Sequence, residues 1–222
     1  MASGGDDSAD AGRGAGPLGV ILAGGASRRF GSSKALAEVG GVVIVERVRR
    51  ALAQVADTVV LVANEPEPFA HLHLPARPDW RPGEGPLAGV QTALRWAVDA
   101  GRPGALCVAC DLPFVPPALL AHLAEIAYAT GADVVIPESE GRRGIEPLCA
   151  YYSAACLPTV DDMLSGDERR LLALLDRVRT VRVPADEVRT FGAPDVIFLN
   201  VNTPADHARA RKIASRMDDA DA

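Results

Sequence analysis

The feature that most constrains this chain is a short, wholly apolar run that ends on two glycines: LGVILA, Leu18 to Ala23, followed by Gly24 and Gly25. Apolar residues at every position, not at alternate ones, suit a strand buried on both faces, and therefore a parallel sheet covered by helices. Similar runs return in TVVLVAN (Thr58 to Asn64), ALCVAC (Ala105 to Cys110) and DVVIPES. Between them lie helical spacings: Ile44, Val48, Leu52 and Val55, then Leu87, Val90, Leu94 and Val98, closed by Gly101. The segment from Pro116 to Gly131 opens on prolines and closes on glycine, as helices do. EPLCAYYS reads as a further strand, ERRLLALLDRV as a helix, and TVRVP and DVIFLNV as short strands. A helix capped near Thr203 and Pro204 ends the pattern. The expected fold class is α/β: a three-layer α/β/α, Rossmann-like arrangement around a mostly parallel sheet.

The 222 residues fit a single domain, read here as 17–217. Residues 1–16, made of Gly, Ala, Ser and Asp with one Arg, cannot bury enough surface to offset their ordering entropy and are expected to be a disordered tail. Residues 218–222, DDADA, read as an acidic tail. The formal net charge of −6 argues against a protein that coats nucleic acid or an anionic membrane. Of that charge the two tails carry −2 and −3, which leaves −1 for the body, so net charge does not argue against polyphosphate chemistry. The start lacks the basic and apolar regions of a secretory signal, and no apolar run approaches the roughly 20 residues that span a bilayer. Four cysteines are too few for a disulfide scaffold, so a reducing cytoplasm is the expected setting. Cys107 and Cys110 form a CxxC within a strand, not at a helix start, and lack the second pair of a zinc site. They are expected to be buried strand residues.

Ligands of open α/β sheets bind outside the carboxyl ends of the strands. A literal GxGxxG, Gly14, Gly16 and Gly19, lies ahead of the first strand and so cannot deliver a helix N-terminus to a pyrophosphate. The loop after that strand can. LAGGASRRFGSSKAL, Leu22 to Leu36, combines Gly24 and Gly25, whose backbone can approach an anion closely, with Ser27, Ser32, Arg28, Arg29 and Lys34. Backbone amides and cations with no intervening acid suit a triphosphate. Taken alone, the loop reads equally well as a glycine turn with solvated arginines.

Other polar residues fall at predicted strand ends. Asp111, in CDLPF, can hold Mg²⁺ against phosphate oxygens, and it stands too far from Pro116 for a simple helix cap. Asp79 precedes Gly85-Pro86-Leu87-Ala88-Gly89, a tight loop leading into a helix N-terminus. Asn64 can meet a base or ribose, or be an ordinary turn residue. Asn200 and Asn202, two apart on the expected strand DVIFLNV, would face one side, while Asn202 or Thr203 serves equally as a helix cap. His71, His73, His122 and His207 show no evident partner, and no acid/base or nucleophilic triad is visible.

LAGGASRRFGSSKAL resembles the signature of nucleotidyltransferases with a glycosyltransferase-A-like Rossmann fold, with Phe30 where Met is usual and Ser33 where Asp often precedes the Lys. Together with Asn64, GPLAG, CDLPF, EPLCAYY and FLNVNTPAD in this order, the chain is similar to the molybdenum cofactor guanylyltransferase family from about Leu18 to Met217. LAGG and CDLP favour guanine over the related cytidylyltransferases. The resemblance implies transfer of GMP from GTP to the phosphate of the molybdopterin cofactor, with Mg²⁺ as metal and molybdoenzyme apoproteins or chaperones downstream. By residue, it implies that Leu22, Ala23 and Gly24 line the nucleotide, that Lys34 meets its phosphates, and that Asn64 and Asp79 contribute to GTP binding, while the loop itself places Gly25 beside the nucleotide and Arg28 and Arg29 beside Lys34 as cations for its phosphates. Asp111 would bind metal and nucleotide, and Asn200 and Asn202 would lie near the metal or the pterin. The alternatives are a sister enzyme using CTP or another acceptor, and a non-catalytic nucleotide-binding adaptor that delivers the cofactor.

Overall fold

The computed structural model describes residues 15–24, 35–141 and 144–220. Its centre is a seven-stranded sheet built from β1 (Leu18–Leu22), β4 (Val59–Val62), β5 (Ala76–Arg77), β6 (Gly104–Ala109), β7 (Val134–Pro137), β8 (Cys149–Ser153) and β9 (Thr180–Val183). The spatial order is β5-β4-β1-β6-β8-β7-β9. Every neighbouring pair is parallel except those made by β8, which runs antiparallel to both β6 and β7. A small antiparallel hairpin, β2 (Glu38–Val39) and β3 (Val42–Val43), stands apart from the sheet.

The apolar runs are buried on both faces, as their composition requires. Leu18, Val20 and Leu22 of β1 pack under α2 (Pro86–Asp99) and α4 (Leu157–Ser165). Ile21 packs on the opposite side, with α1 (Ile44–Ala53) and α3 (Pro117–Thr130). A third, smaller cluster joins Val39 of the hairpin to Phe114, Leu199, Val201 and Ala210 and Ala214 of the terminal helix α8 (Pro204–Ala220). The predicted turn chemistry holds at α2 and α3: each begins on proline, and Gly101 and Gly131 follow them at positive φ.

Four expectations need correction. DVIFLNV is not a strand. Pro194 opens a single helical turn, α7 (Pro194–Ile197), with Asp195 in that turn, and an irregular segment follows. ERRLLALLDRV shortens to one turn, α5 (Leu171–Leu174), because Glu168 accepts from both the backbone N–H and the guanidinium of Arg170 and holds the helix entry extended. A helix not expected from the sequence, α4, lies just before it. It starts with Pro158 in its first turn and buries Val160, Met163 and Leu164, too few apolar residues to show a clear period. Finally, α8 continues to Ala220, three residues into the expected acidic tail, since extending a formed helix adds a hydrogen bond per residue fixed. Shorter pieces among the described residues are α6 (Ala185–Val188) and 3-10 segments at Glu67–Leu72, Ala154–Cys156 and Arg189–Phe191. Among the described residues, no helix is long and apolar enough to cross a membrane.

Candidate functional site

β1 is the point where the chain changes direction across the sheet. It is followed by strands on one side (β4, β5), and α2 then carries the chain to β6 on the other. The crevice at such a point is where open α/β sheets bind ligands. Three strand ends are locked together there. Ala23 N–H donates to Val62 O at 2.9 Å, and Cys110 N–H donates to Leu22 O at 3.0 Å. Gly24, Asn64 and Asp111 therefore emerge along one edge. Leu22 is buried, Ala23 is partly buried and Gly24 is exposed.

Asn64 and Asp79, fifteen residues apart, form one unit. Asn64 Nδ2 donates to Asp79 Oδ2, and Asp79 N–H donates to Asn64 Oδ1, both at 2.9 Å. Asp79 is the buried member and Asn64 the exposed one. Burial pushes the Asp79 carboxyl above the usual aspartate pKa, against the opposing effect of the Asn64 hydrogen bond. A Cβ added at Gly24 would stand 2.9 Å from Asp79 Oδ2, so the backbone at Gly24 lies against this carboxylate, a close approach that suits glycine. Gly89 of α2 approaches from the other side, where a Cβ would stand 3.7 Å from Oδ1. Asn64 keeps one amide hydrogen and one carbonyl lone pair for a ligand, whereas Asp79 faces protein.

The loop from Asp79 to α2 is held by residues the sequence did not single out. Trp80 N–H donates to Thr92 Oγ1 at 2.8 Å, and that hydroxyl also donates to Ala88 O within α2. Gln91 and Thr92 are the buried polar residues of α2, next to Leu87, Val90 and Leu94 of its apolar spacing, and that incongruity was the available signal.

Asp111, one residue beyond Cys110, sits on the other flank of the crevice and is partly buried. Val201 N–H donates to Asp111 O at 3.0 Å, which brings the neighbouring Asn200 and Asn202 beside Asp111. They come there on an irregular segment, not as two residues on one face of a strand. Asn200 Nδ2 donates to Phe198 O at 3.3 Å. The expected cap of the terminal helix forms as a capping box: Asp206 N–H donates to Thr203 Oγ1, and Asp206 Oδ2 accepts from Thr203 N–H at 2.8 Å and from Asn202 N–H at 3.1 Å. The Asp111 carboxylate with two nearby amides is an oxygen-donor set, the chemistry of a hard cation. Among the described residues no three His, Cys, Asp or Glu side chains gather as a cage. Mg²⁺ fits such a place when substrate phosphates and water complete its shell.

Gly25, Arg28 and Lys34, with Ser27, Arg29, Phe30, Ser32 and Ser33, lie outside the described residues. The CxxC takes no part. Cys107 is buried within β6, and burial, with the Asp111 charge second, pushes the Cys110 thiol to about 12, so it stays protonated at neutral pH. The histidines lie elsewhere. His122 Nε2 meets Glu187, a partner the sequence did not reveal, and His207 Nε2 bonds Glu38 O at 2.8 Å.

Residues 19–183 match the family model of the MobA-like NTP transferase domain. The chain is 37% identical to a probable molybdenum cofactor guanylyltransferase of Pelotomaculum thermopropionicum, covering 88% of this chain and 92% of that protein. It is 40% identical to the molybdenum cofactor guanylyltransferase of Rhodobacter capsulatus, covering 86% and 93%. The solved structure of molybdopterin-guanine dinucleotide biosynthesis protein A from Archaeoglobus fulgidus superposes with a TM-score of 0.74 at 29% identity, covering 90% of this chain and all of that one.

Proposed function

The chain belongs to the MobA-like NTP transferase family, and from that premise we propose that it is a molybdenum cofactor guanylyltransferase, which transfers GMP from GTP to the phosphate of the molybdopterin cofactor. The observation that carries this reading is the pairing of two unlike flanks at one crevice. The Asn64–Asp79 unit lies on the β4 side, and Asp111 with Asn200 and Asn202 on the β6 side.

On this reading the nucleotide lies over Leu22, Ala23, Gly24 and Gly25, with Asn64 at its base or ribose and Asp79 behind Asn64. Arg28 and Lys34 meet the phosphates. Asp111 holds Mg²⁺, which when bound supplies charge neutralisation at the phosphate oxygens. Asn200 and Asn202 face the acceptor. A terminal phosphate oxygen of the acceptor attacks the α-phosphorus of GTP in line. The bond from that phosphorus to the bridging oxygen breaks, and pyrophosphate leaves with the electron pair. The acceptor phosphate, with a second pKa of roughly 6, is already ionised at neutral pH and needs no general base. Positioning and charge stabilisation therefore suffice. Residues 17–217 form the unit that carries the reaction. Its setting is the cytoplasm, which agrees with four free cysteines, and its product passes to molybdoenzyme apoproteins or chaperones.

The test is pyrophosphate release by the purified chain with GTP or CTP, with and without molybdopterin as acceptor. Release that requires both GTP and molybdopterin is expected. Equal release with CTP overturns the base assignment, and GTP binding without any release points to a delivery adaptor.

A further inference from the structure

The loop of residues 80–85 joins the Asn64–Asp79 unit to the N-terminus of α2, yet it has almost no structure of its own. Gly83 and Gly85 take φ of 84° and 82°, and its only internal backbone bond is Glu84 N–H to Arg81 O at 3.3 Å. Such a segment does not hold a buried carboxylate to within tenths of an ångström by itself. Asp79 nevertheless sits close under Gly24, where an added Cβ would come to 2.9 Å from Oδ2, and it exchanges two hydrogen bonds with Asn64.

Trp80 N–H ties the start of the loop to Thr92 of α2, and Arg81 supplies a second anchor, on α4. Its guanidinium donates to Leu164 O and to Ser165 Oγ, both at 3.3 Å. Leu164 and Ser165 are the last two residues of α4, where helix carbonyls lack intrahelical partners and a positive charge is favoured. Neighbouring carbonyls of that end are already taken: Asp162 O and Met163 O accept from Gly166 N–H, and Met163 O also accepts from Glu168 N–H. Leu164 O is left for Arg81. A second tie runs beside it, since Glu84 stands 3.8 Å from Arg81 and 3.5 Å from Arg169, just beyond α4. On the other side of the loop the Arg95 guanidinium lies 4.7 Å from the centre of the Trp80 ring and is itself held by Asp161 of α4. The loop is thus fastened from outside, to α2 through Trp80 and to α4 through Arg81.

We propose that Arg81 is a positioning residue for the nucleotide: by capping α4 it helps fix the loop that seats Asp79, and through Asp79 it orients Asn64 beside Gly24. The inference rests on the reading of this crevice as a GTP site. It assigns Arg81 no contact with substrate, so its loss acts on nucleotide binding and leaves the chemical step alone.

The measurement is steady-state kinetics of Arg81→Ala and Arg81→Lys with GTP and molybdopterin varied separately. Arg81→Ala should raise KM for GTP about tenfold, with kcat at saturating GTP within about twofold and KM for molybdopterin unchanged. Arg81→Lys keeps the charge at the helix end but not the paired donors, and should give an intermediate KM. A merely structural role would lower the active fraction, and with it the apparent kcat, without moving KM for GTP selectively. An unchanged KM for GTP in Arg81→Ala, or a loss confined to kcat, overturns the proposal. If Arg81→Ala does not fold, the KM of Arg81→Lys decides in the same way. Absence of GTP-dependent turnover in the unmodified chain overturns the functional reading instead, and the inference with it, whereas a normal parent with an unmoved KM overturns the inference alone.

Discussion

The two flanks of the crevice are built differently. On the β4 side, side chains hold one another: Asn64 and Asp79 exchange two hydrogen bonds over a buried carboxylate, and the following loop is pinned by Thr92, Arg95 and Arg81. On the β6 side the backbone does the holding. Val201 N–H fixes the chain beside Asp111, while the side chains of Asn200 and Asn202 are exposed. On the proposed function the β4 flank would seat the purine nucleotide, and a rigid, preformed flank is the kind that discriminates among nucleotides. The other flank would then receive the phosphates, the metal and the second substrate, and the exposed side chains of Asn200 and Asn202 leave it open. Binding selectivity and chemistry should therefore separate on mutation.

The largest effect tests the chemical flank. Asp111→Ala should lower kcat about a hundredfold or more, because a site that works by charge stabilisation loses a few kcal/mol of barrier with one such contact. Thermal denaturation should show the fold retained. Lys34→Ala should do likewise if the first loop supplies the phosphate cation. Near-normal turnover of either variant at saturating GTP removes that residue from the mechanism.

Asn64→Ala comes next and should act on the other flank, raising KM for GTP about tenfold with little change in kcat. Asp79→Asn sharpens the contrast, because function and stability should move in opposite directions. Burial raises the folded-state pKa of Asp79 above its unfolded value. The stability linked to this group is therefore fully present below about pH 4 and lost as pH rises through the raised value. The amide carries no such charge. Asp79→Asn should raise Tm by about 1–2 °C at pH 7, flatten the dependence of Tm on pH above 4, and still weaken GTP binding. A fall in Tm at neutral pH would show that the carboxylate is stabilised, not strained, where it lies.

The two flanks also differed in how far the sequence revealed them. The apolar runs marked β1, β4, β6 and β7 because parallel strands buried on both faces cannot alternate, and their ends pointed to Gly24, Asn64 and Asp111. The reversed strand β8 between β6 and β7 was not legible in orientation, since strand order depends on long-range pairing. The bond between Asn64 and Asp79 spans fifteen residues and two strands, so no local pattern announces it. DVIFLNV misled for a different reason. A short apolar run does not distinguish strand from buried turn, and Pro194 was the signal to heed. Nothing local in the sequence singles out Arg81, because its partners lie at a helix end more than eighty residues away.

The smallest expected effect tests whether the β6 flank faces the acceptor. Asn202 contributes only its backbone N–H to the capping box of α8, and its side chain is exposed. Asn202→Ala should therefore leave Tm unchanged and raise KM for molybdopterin about threefold, with KM for GTP unmoved. Thr203→Ala, one residue along, is the matched control. It removes the cap hydroxyl that accepts from Asp206 N–H, which costs about 1 kcal/mol, or a fall in Tm of about 2–4 °C, and should leave both KM values alone. The pair separates a ligand-facing side chain from a structural neighbour on the same short segment. If Asn202→Ala raised KM for GTP instead, the nucleotide would reach across the crevice, and the division of labour between its flanks would have to be redrawn.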